Sequence, residues 1–335
     1  MSQPILQPPL PRFEVCLDAP NLDAWREGNT GIPGFTTLRA TAPGPHVGIL
    51  ALTHGNEYSG AIVLERLLRL RFAPLRGGLT FAPLRGRLTI GFVNLAAFDR
   101  FDPQRPTLSR FIDEDINRVW DPSVLDGPRR SAELDRARQI LPMIETFDML
   151  LDLHSMLWPS DPLTLCGETE NGRRLAAAIG APRMVVADHG HANGRRIIDH
   201  PHFTDPGSTS AANLVEAGQH WERSTVAMAE ASVLGLLRHA RLLAVDPQGD
   251  QPVLQRKHSG PSRFATVTQA VTASTANFVF TQPYRGGDVI AARNTLIALD
   301  GAAEIRTPYD DCLLVMPSLR PSRGHMAVRL AQFSP

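Results

Sequence analysis

The sequence predicts an α/β protein, a mixed central sheet flanked by helices, with a smaller all-β domain at its C-terminal end. Three observations carry this expectation. Short apolar runs alternate with segments whose apolar residues recur at helical spacing. Each of those runs ends on a polar residue. From about residue 246 the helical segments stop, and β-prone runs punctuated by Gly and Pro take over. The chain is therefore expected to divide into a larger domain over residues 1–245 and a β-rich domain over 246–335, with Pro247, Gly249 and Pro252 at the junction.

The elements follow in order. A strand from His46 to Leu52 leads into Thr53-His54-Gly55, and a helix is expected over Gly60 to Phe72. Next, FAPLRGGLT at Phe72–Thr80 is repeated as FAPLRGRLT at Phe81–Thr89; two copies are too few for a solenoid and read as a duplicated edge loop. The strand Leu88–Val93 ends at Asn94, a helix spans Ser131–Thr146, and the strand Phe147–Leu153 ends at His154. A helix over Gly172–Ile179 precedes the run Arg183–Ala187, which ends at Asp188 and His189; Leu214-Val215 ends at Glu216, and a helix covers Thr225–Leu243. The tail runs are Ala276–Thr281, Val289–Leu299, Ala303–Arg306, Cys312–Met316 and His325–Ala331. In such sheets ligands bind beyond the carboxyl ends of the strands, where the packed core stops and loops converge. That rule selects His54, Asn94, His154, His189 and Glu216.

Composition narrows the partners. The 335 residues carry 34 basic and 34 acidic side chains, a formal charge of zero, and 43% are apolar. A polyanion binder would show a basic excess, so nucleic acid is not expected. No run approaches the roughly 18 apolar residues of a spanning helix, and MSQPILQPPLPRF lacks the pattern of a secretory signal. Cys16, Cys166 and Cys312 are odd in number and widely spread, which argues against both a disulfide framework and a thiolate metal site. The expectation is a cytoplasmic protein acting on a small molecule, with no membrane partner; a homo-oligomer is compatible with all of this.

Four segments can carry chemistry. In His54-Gly55-Asn56-Glu57 a strand end turning into a helix aims an imidazole and a carboxylate at one point, a pairing suited to zinc but weak by itself. Asp152-Leu153-His154 supplies a third ligand, and two His plus one Glu leave a position open, as catalytic sites do. Asp152 shares a strand face with His154 and is placed to orient it, although a solvated or capping acid reads equally well. Arg110-Phe111-Ile112-Asp113-Glu114-Asp115-Ile116-Asn117-Arg118 reads either as a carboxylate receptor, because guanidinium matches a carboxylate in bidentate fashion, or as an exposed mixed-charge loop. Glu216, in Asn213-Leu214-Val215-Glu216-Ala217-Gly218, is one carboxylate ending a strand of small residues, where a base acting on water at a metal would stand.

In this order and spacing HGNE, RFIDEDINR, DLHS and LVEAG resemble the succinylglutamate desuccinylase and aspartoacylase family, a branch of the zinc carboxypeptidase superfamily. The resemblance covers Val47 to Gly218, and the β-rich tail is similar to that family's C-terminal domain. It implies one Zn2+ per chain, held by His54, Glu57 and His154, with Glu216 as the general base that activates water and passes its proton to the leaving amine. It implies Arg110 at the tetrahedral oxyanion, Asn117 and Arg118 on the substrate's amino-acid carboxylate, and Tyr284 reaching the substrate from the tail. The activity so implied is hydrolysis of the linear amide of an N-acyl amino acid or related small carboxylate. One departure stands out. Aspartoacylases carry a further arginine ten positions before the catalytic Glu, and here that position is Pro206, with Arg195 and Arg196 upstream as substitutes.

Other readings compete. His189, His191, His200 and His202 form two HxH pairs, which barrel-type amidohydrolases use for metal; set among Gly, Asn, Asp and Pro, they read better as a loop at the mouth of the site. A zinc carboxypeptidase removing C-terminal residues from peptides would need the same metal, base and carboxylate clamp. A non-catalytic scaffold would have lost a ligand or the base, and all are present.

Overall fold

The computed structural model describes residues 14–72, 85–190, 193–242 and 260–334. The nine-residue repeat falls largely outside them, as do the residue 245/246 junction and His191.

Strands and helices alternate through the first 240 residues. Strands β1 (Phe35–Arg39) and β2 (His46–Ala51) precede helix α1 (Ser59–Phe72); β3 (Arg87–Phe92) is followed by α2 (Leu95–Phe98), α3 (Pro122–Leu125) and α4 (Ala132–Ile144). Then come β4 (Met149–Met156), β5 (Leu163–Leu165), α5 (Glu170–Ile179), β6 (Met184–Ala187), α6 (Pro201–Thr204), β7 (Ala211–Gln219) and α7 (Arg223–His239). The remainder is all strand: β8 (Arg263–Thr272), β9 (Phe278–Phe280), β10 (Val289–Ile290), β11 (Leu296–Asp300), β12 (Ala303–Arg306), β13 (Cys312–Val315) and β14 (Met326–Phe333).

The strands form an eleven-stranded mixed sheet in the order β1-β3-β2-β4-β7-β5-β6-β8-β14-β13-β10, and a three-stranded sheet β12-β11-β9. Its centre, β3-β2-β4-β7, is parallel. Val47, Ile49 and Ala51 of β2 pack into one core layer with α1, α5 and α7, whereas Leu50 enters the opposite layer with α4. This is the period-two alternation of a strand covered on both faces. Gly48 makes it possible, since a Cβ there would lie 2.4 Å from the Phe147 ring.

Three strands lie outside the expected runs: β1, which pairs antiparallel with β3, β5, which pairs antiparallel with β7, and β8. The described part of the tail is all-β, as expected. Strand β8 pairs in parallel with β6, and β14 then pairs with β8, so the C-terminal strands continue the central sheet while β9, β11 and β12 stand apart. No described helix is long and apolar enough to cross a membrane. The three cysteines are unpaired.

Candidate metal centre and cavity

The centre is built where β2, β4 and β7 deliver their polar residues. After β2 the chain leaves the sheet through Leu52, a buried residue held at a left-handed φ of 59°. Trp221 and Met316, at φ 61° and 50°, turn the chain in the same way beside the cavity. Such backbone states persist only where surroundings enforce them. The glycine of HGNE has a packing reason: a Cβ on Gly55 would come within 2.4 Å of the Ser109 carbonyl oxygen, and its N–H donates to the Arg110 carbonyl at 3.1 Å. Backbone contact thus binds the His54 turn to the segment bearing Arg110.

His54, Glu57 and His154 are all buried, and one ligand atom of each lies within 4.8 Å of the others. Among the described residues they are the one such group of three. Both imidazoles are held from behind. His154 Nε2 lies 2.7 Å from Asp152 Oδ2, and His54 Nε2 lies 2.9 Å from Asp115 Oδ1. Asp152 behind its ring favours a proton on His154 Nε2, His54 Nε2 lies 3.0 Å from Arg110 Nη2 as well as facing Asp115, and both rings turn Nδ1 toward the centre. The two Nδ1 atoms approach Glu57 at 2.8 and 3.0 Å. For His54 that distance lacks hydrogen-bond geometry, so its Nδ1 is a buried atom without a hydrogen-bond partner. A nitrogen aimed at a carboxylate it does not bond, beside a second nitrogen and two carboxylate oxygens, fits a divalent cation of the zinc type better than it fits a hydrogen bond.

The buried charges of the group act strongly on one another. Burial opposes the charge of Glu57, but His54 and His154 outweigh it and hold the carboxyl well below its usual range. Burial likewise opposes a charged His154, and Asp152 overrides it, holding the imidazole well above its usual value. Glu216 moves the other way. Burial, and then the charge of Glu57, push it up to about 8. It stands directly across from His154 in the β4–β7 ladder, and its Oε2 is buried with no hydrogen-bond partner.

Arg110 closes one side, donating from Nη1 to Glu57 Oε1 at 2.8 Å and from Nη2 to Asp115 Oδ2 at 3.2 Å. The cavity beyond holds about 160 Å³ and is lined by Asn117, Arg118, Arg196, Glu216, His220 and Arg329 among others. Asn117 commits its oxygen to the Ile197 N–H at 2.9 Å, so its amide nitrogen is the remaining donor. Arg118 donates to the Asn117 carbonyl at 2.6 Å, and burial lowers its pKa to about 10.

Some expected residues do not reach the cavity. Tyr284 is not among its lining; it is buried in the C-terminal core against Phe280, its hydroxyl 3.2 Å from Thr281 Oγ1. Packing, rather than substrate contact, accounts for it. Asn94 caps α2 and donates to Glu133, so its strand-end position serves the scaffold. His189 is exposed and pairs with Glu168, His200 caps α6, and His202 bonds the Phe147 carbonyl; none joins the metal group. Arg195 reaches Asp121 at the surface, and Arg196 is engaged by both oxygens of Asp188 and of Asp199. Neither is free to stand in for an arginine at Pro206.

Other residues had no visible signal. Glu133, in the first turn of α4, accepts from Asn94 Nδ2 and from the N–H groups of Ile112, Asp113 and Glu114, at 2.6 to 3.2 Å, and so pins the loop between Arg110 and Asn117. Ser155 and His220 form a buried pair at 2.7 Å beside the metal group. Arg329 reaches the cavity from β14.

The chain is similar in fold to several solved structures. The succinylglutamate desuccinylase of Vibrio parahaemolyticus superposes with a TM-score of 0.66 at 14% identity, covering 90% of this chain and 87% of that one. A succinylglutamate desuccinylase/aspartoacylase from Rhodobacter sphaeroides gives 0.63 at 18%, over 90% and 89% of the two chains. An aspartoacylase family protein of Mesorhizobium loti gives 0.59 at 19%, over 90% and 89%. No curated protein matches the chain in sequence. The profile of the succinylglutamate desuccinylase/aspartoacylase catalytic domain matches residues 43–220, more than half of the chain and the whole span from β2 to His220 that builds the centre. With that match, and with the imidazoles, Glu57 and Glu216 assembled as described, the chain belongs to the succinylglutamate desuccinylase/aspartoacylase family.

Proposed function

We propose that the protein is a zinc-dependent deacylase that hydrolyses the amide bond of an N-acyl amino acid or a related small carboxylate. The observation that carries this reading is Glu216: a buried carboxyl with a free oxygen, raised to about 8, standing beside the His54–Glu57–His154 group. A Zn2+ held by those three residues supplies Lewis acidity to water and to the amide carbonyl. Glu216 takes the proton of the attacking water and returns it to the leaving nitrogen, as general base and then general acid. Arg110 offers its guanidinium to the carbonyl oxygen as negative charge gathers there, and losing one such donor costs roughly 10²–10³ in rate. Asn117 and Arg118 hold the amino-acid carboxylate through one neutral and one charged donor. The small cavity favours a small substrate over a peptide chain. The unpaired cysteines fit a reducing cytoplasm.

The test is a panel of N-acetyl and N-succinyl amino acids alongside C-terminal peptides, presented to zinc-loaded protein and to Glu216→Gln. Hydrolysis of acyl amino acids is expected, falling by about 10²–10⁴ in the variant with its zinc content retained. Cleavage of peptides alone would shift the reading to a carboxypeptidase. Full activity in the variant would refute the role of Glu216.

A further inference from the structure

Arg329 is out of place by ordinary packing rules. It lies in the run Ala327-Val328-Arg329-Leu330-Ala331, whose four other members are completely buried, and is itself 6% exposed. Val328 and Leu330 pack into the C-terminal β cluster. Strand alternation turns Arg329 the other way, beside its ladder partner Val315, which packs in the layer of the catalytic sheet. From there it lines the same cavity as Arg118 and Glu216.

Its donors are poorly answered. Asp188 lies 3.5 Å from Arg329 Nε without hydrogen-bond geometry, because Arg196 already takes both Asp188 oxygens at 2.7 and 3.0 Å. The hydrogen bond that Arg329 does make among the described residues runs from Nη1 to the thioether of Met316 at 3.9 Å. A guanidinium presents five N–H donors in a planar fork, and burying it without acceptors is costly. The acceptors are then to be sought in what the cavity binds. Resting on the deacylase reading, Asn117 and Arg118 account for one carboxylate, and Arg329 enters from a different element with a fork that matches a second.

We infer that Arg329 is a specificity-determining residue that receives a second carboxylate of the substrate, so that the enzyme prefers N-acyl amino acids bearing two carboxylates to those bearing one. The second carboxylate belongs either to the amino-acid side chain or to the far end of the acyl group, and both present the same chemistry to the guanidinium.

Matched pairs of substrates test this on the zinc-loaded full chain: N-acetylaspartate against N-acetylasparagine for the side chain, and N-succinylalanine against N-butyrylalanine for the acyl end. In the wild type at least one dicarboxylate exceeds its partner in kcat/KM, and Arg329→Gln lowers that ratio by roughly 10- to 100-fold, mainly through KM, as expected for lost charge-assisted bonds. Arg329→Lys recovers part of the ratio. A purely structural arginine would slow both members of a pair alike, and an unchanged ratio would overturn the inference, as would a wild type indifferent to the second carboxylate in both pairs. Thermal shifts of wild type, Arg329→Gln and Arg329→Lys with the same four compounds give a readout independent of turnover. Absence of hydrolysis with a shift selective for a dicarboxylate, lost in Arg329→Gln, would sink the deacylase reading and leave the carboxylate site standing. No selective shift and no selective hydrolysis would sink the site.

Discussion

Replacing Asp152 by Asn should weaken zinc binding without unfolding the protein. Asp152 is completely buried, accepts from Thr53 Oγ1 at 2.8 Å and holds His154 Nε2 at 2.7 Å. Asn keeps the shape. Turned with its oxygen toward His154, it replaces a charge-assisted bond by a neutral one, and its amide nitrogen meets the Thr53 hydroxyl, which can rotate to accept. Charge-assisted bonds contribute about 1.5–3 kcal/mol against about 0.5–1.5 for neutral ones, a difference of roughly 1–1.5 kcal/mol or about tenfold in affinity. Lost basicity of the imidazole adds to this, toward the upper end of the roughly 10–100-fold seen for carboxylates behind metal-bound histidines. Asp115 does the same for His54, but its side chain is 19% exposed and is also paired with Arg110, so Asp115→Asn should lose less, about tenfold. Competition for Zn2+ against a chromophoric chelator measures both, and the unfolding midpoints of the metal-free proteins monitor folding. Affinity of Asp152→Asn within about twofold of wild type, or a larger loss in Asp115→Asn, would refute the orienting role.

Two further outcomes follow from groups away from His54, Glu57 and His154. His46 is buried between Thr89 Oγ1 at 2.8 Å and Thr146 Oγ1 at 3.0 Å, and burial, then Arg87, lowers its pKa to about 4. The unfolded chain binds that proton near pH 6.5, so this contribution is complete above about 6.5 and is lost as the pH falls toward about 4, at most about 3 kcal/mol. Urea unfolding across that range should show a shallower pH dependence in His46→Gln than in wild type; parallel profiles would contradict the assignment. Glu133→Gln places an amide among four donors and should loosen the loop between Arg110 and Asn117, raising KM by about tenfold while zinc affinity holds within about threefold, because no metal ligand lies in that loop. Unaltered KM would show that the loop holds without the clamp.

Much of the centre was legible because its chemistry is local. His54 and Glu57 sit within one turn, Asp152 and His154 within one strand, and Glu216 at the end of an apolar run, so spacing made them candidates and the family resemblance supplied their roles. Arg110, Asn117 and Arg118 stood out as two arginines bracketing an Asn in a segment too polar for a core strand. The misreadings involve long-range packing. Tyr284, placed only by the resemblance of the tail, packs edge-to-face with Phe280 in the C-terminal core. Arg195 and Arg196 were near enough in sequence to replace a missing arginine, yet Asp121, Asp188 and Asp199 engage them. The HxH pairs had attractive spacing, but of their described members one is exposed and two serve helix α6 and the backbone of Phe147.

By itself, the sequence determined the alternation of strand and helix, the identity of the converging imidazoles and carboxylates, and membership of a family whose motifs lie within short windows. Tertiary structure decided which ring nitrogen of each histidine faces the centre, because Asp115 and Asp152 lie behind them, one of them 61 residues away in the chain. It also decided that β8 extends the central sheet along β6 and so carries β14 to the cavity, where Arg329 meets Arg118 across more than two hundred residues of chain. Hydrophobic period and ligand spacing are properties of neighbours along the chain. The acceptors left to a buried guanidinium depend on every element packed around it.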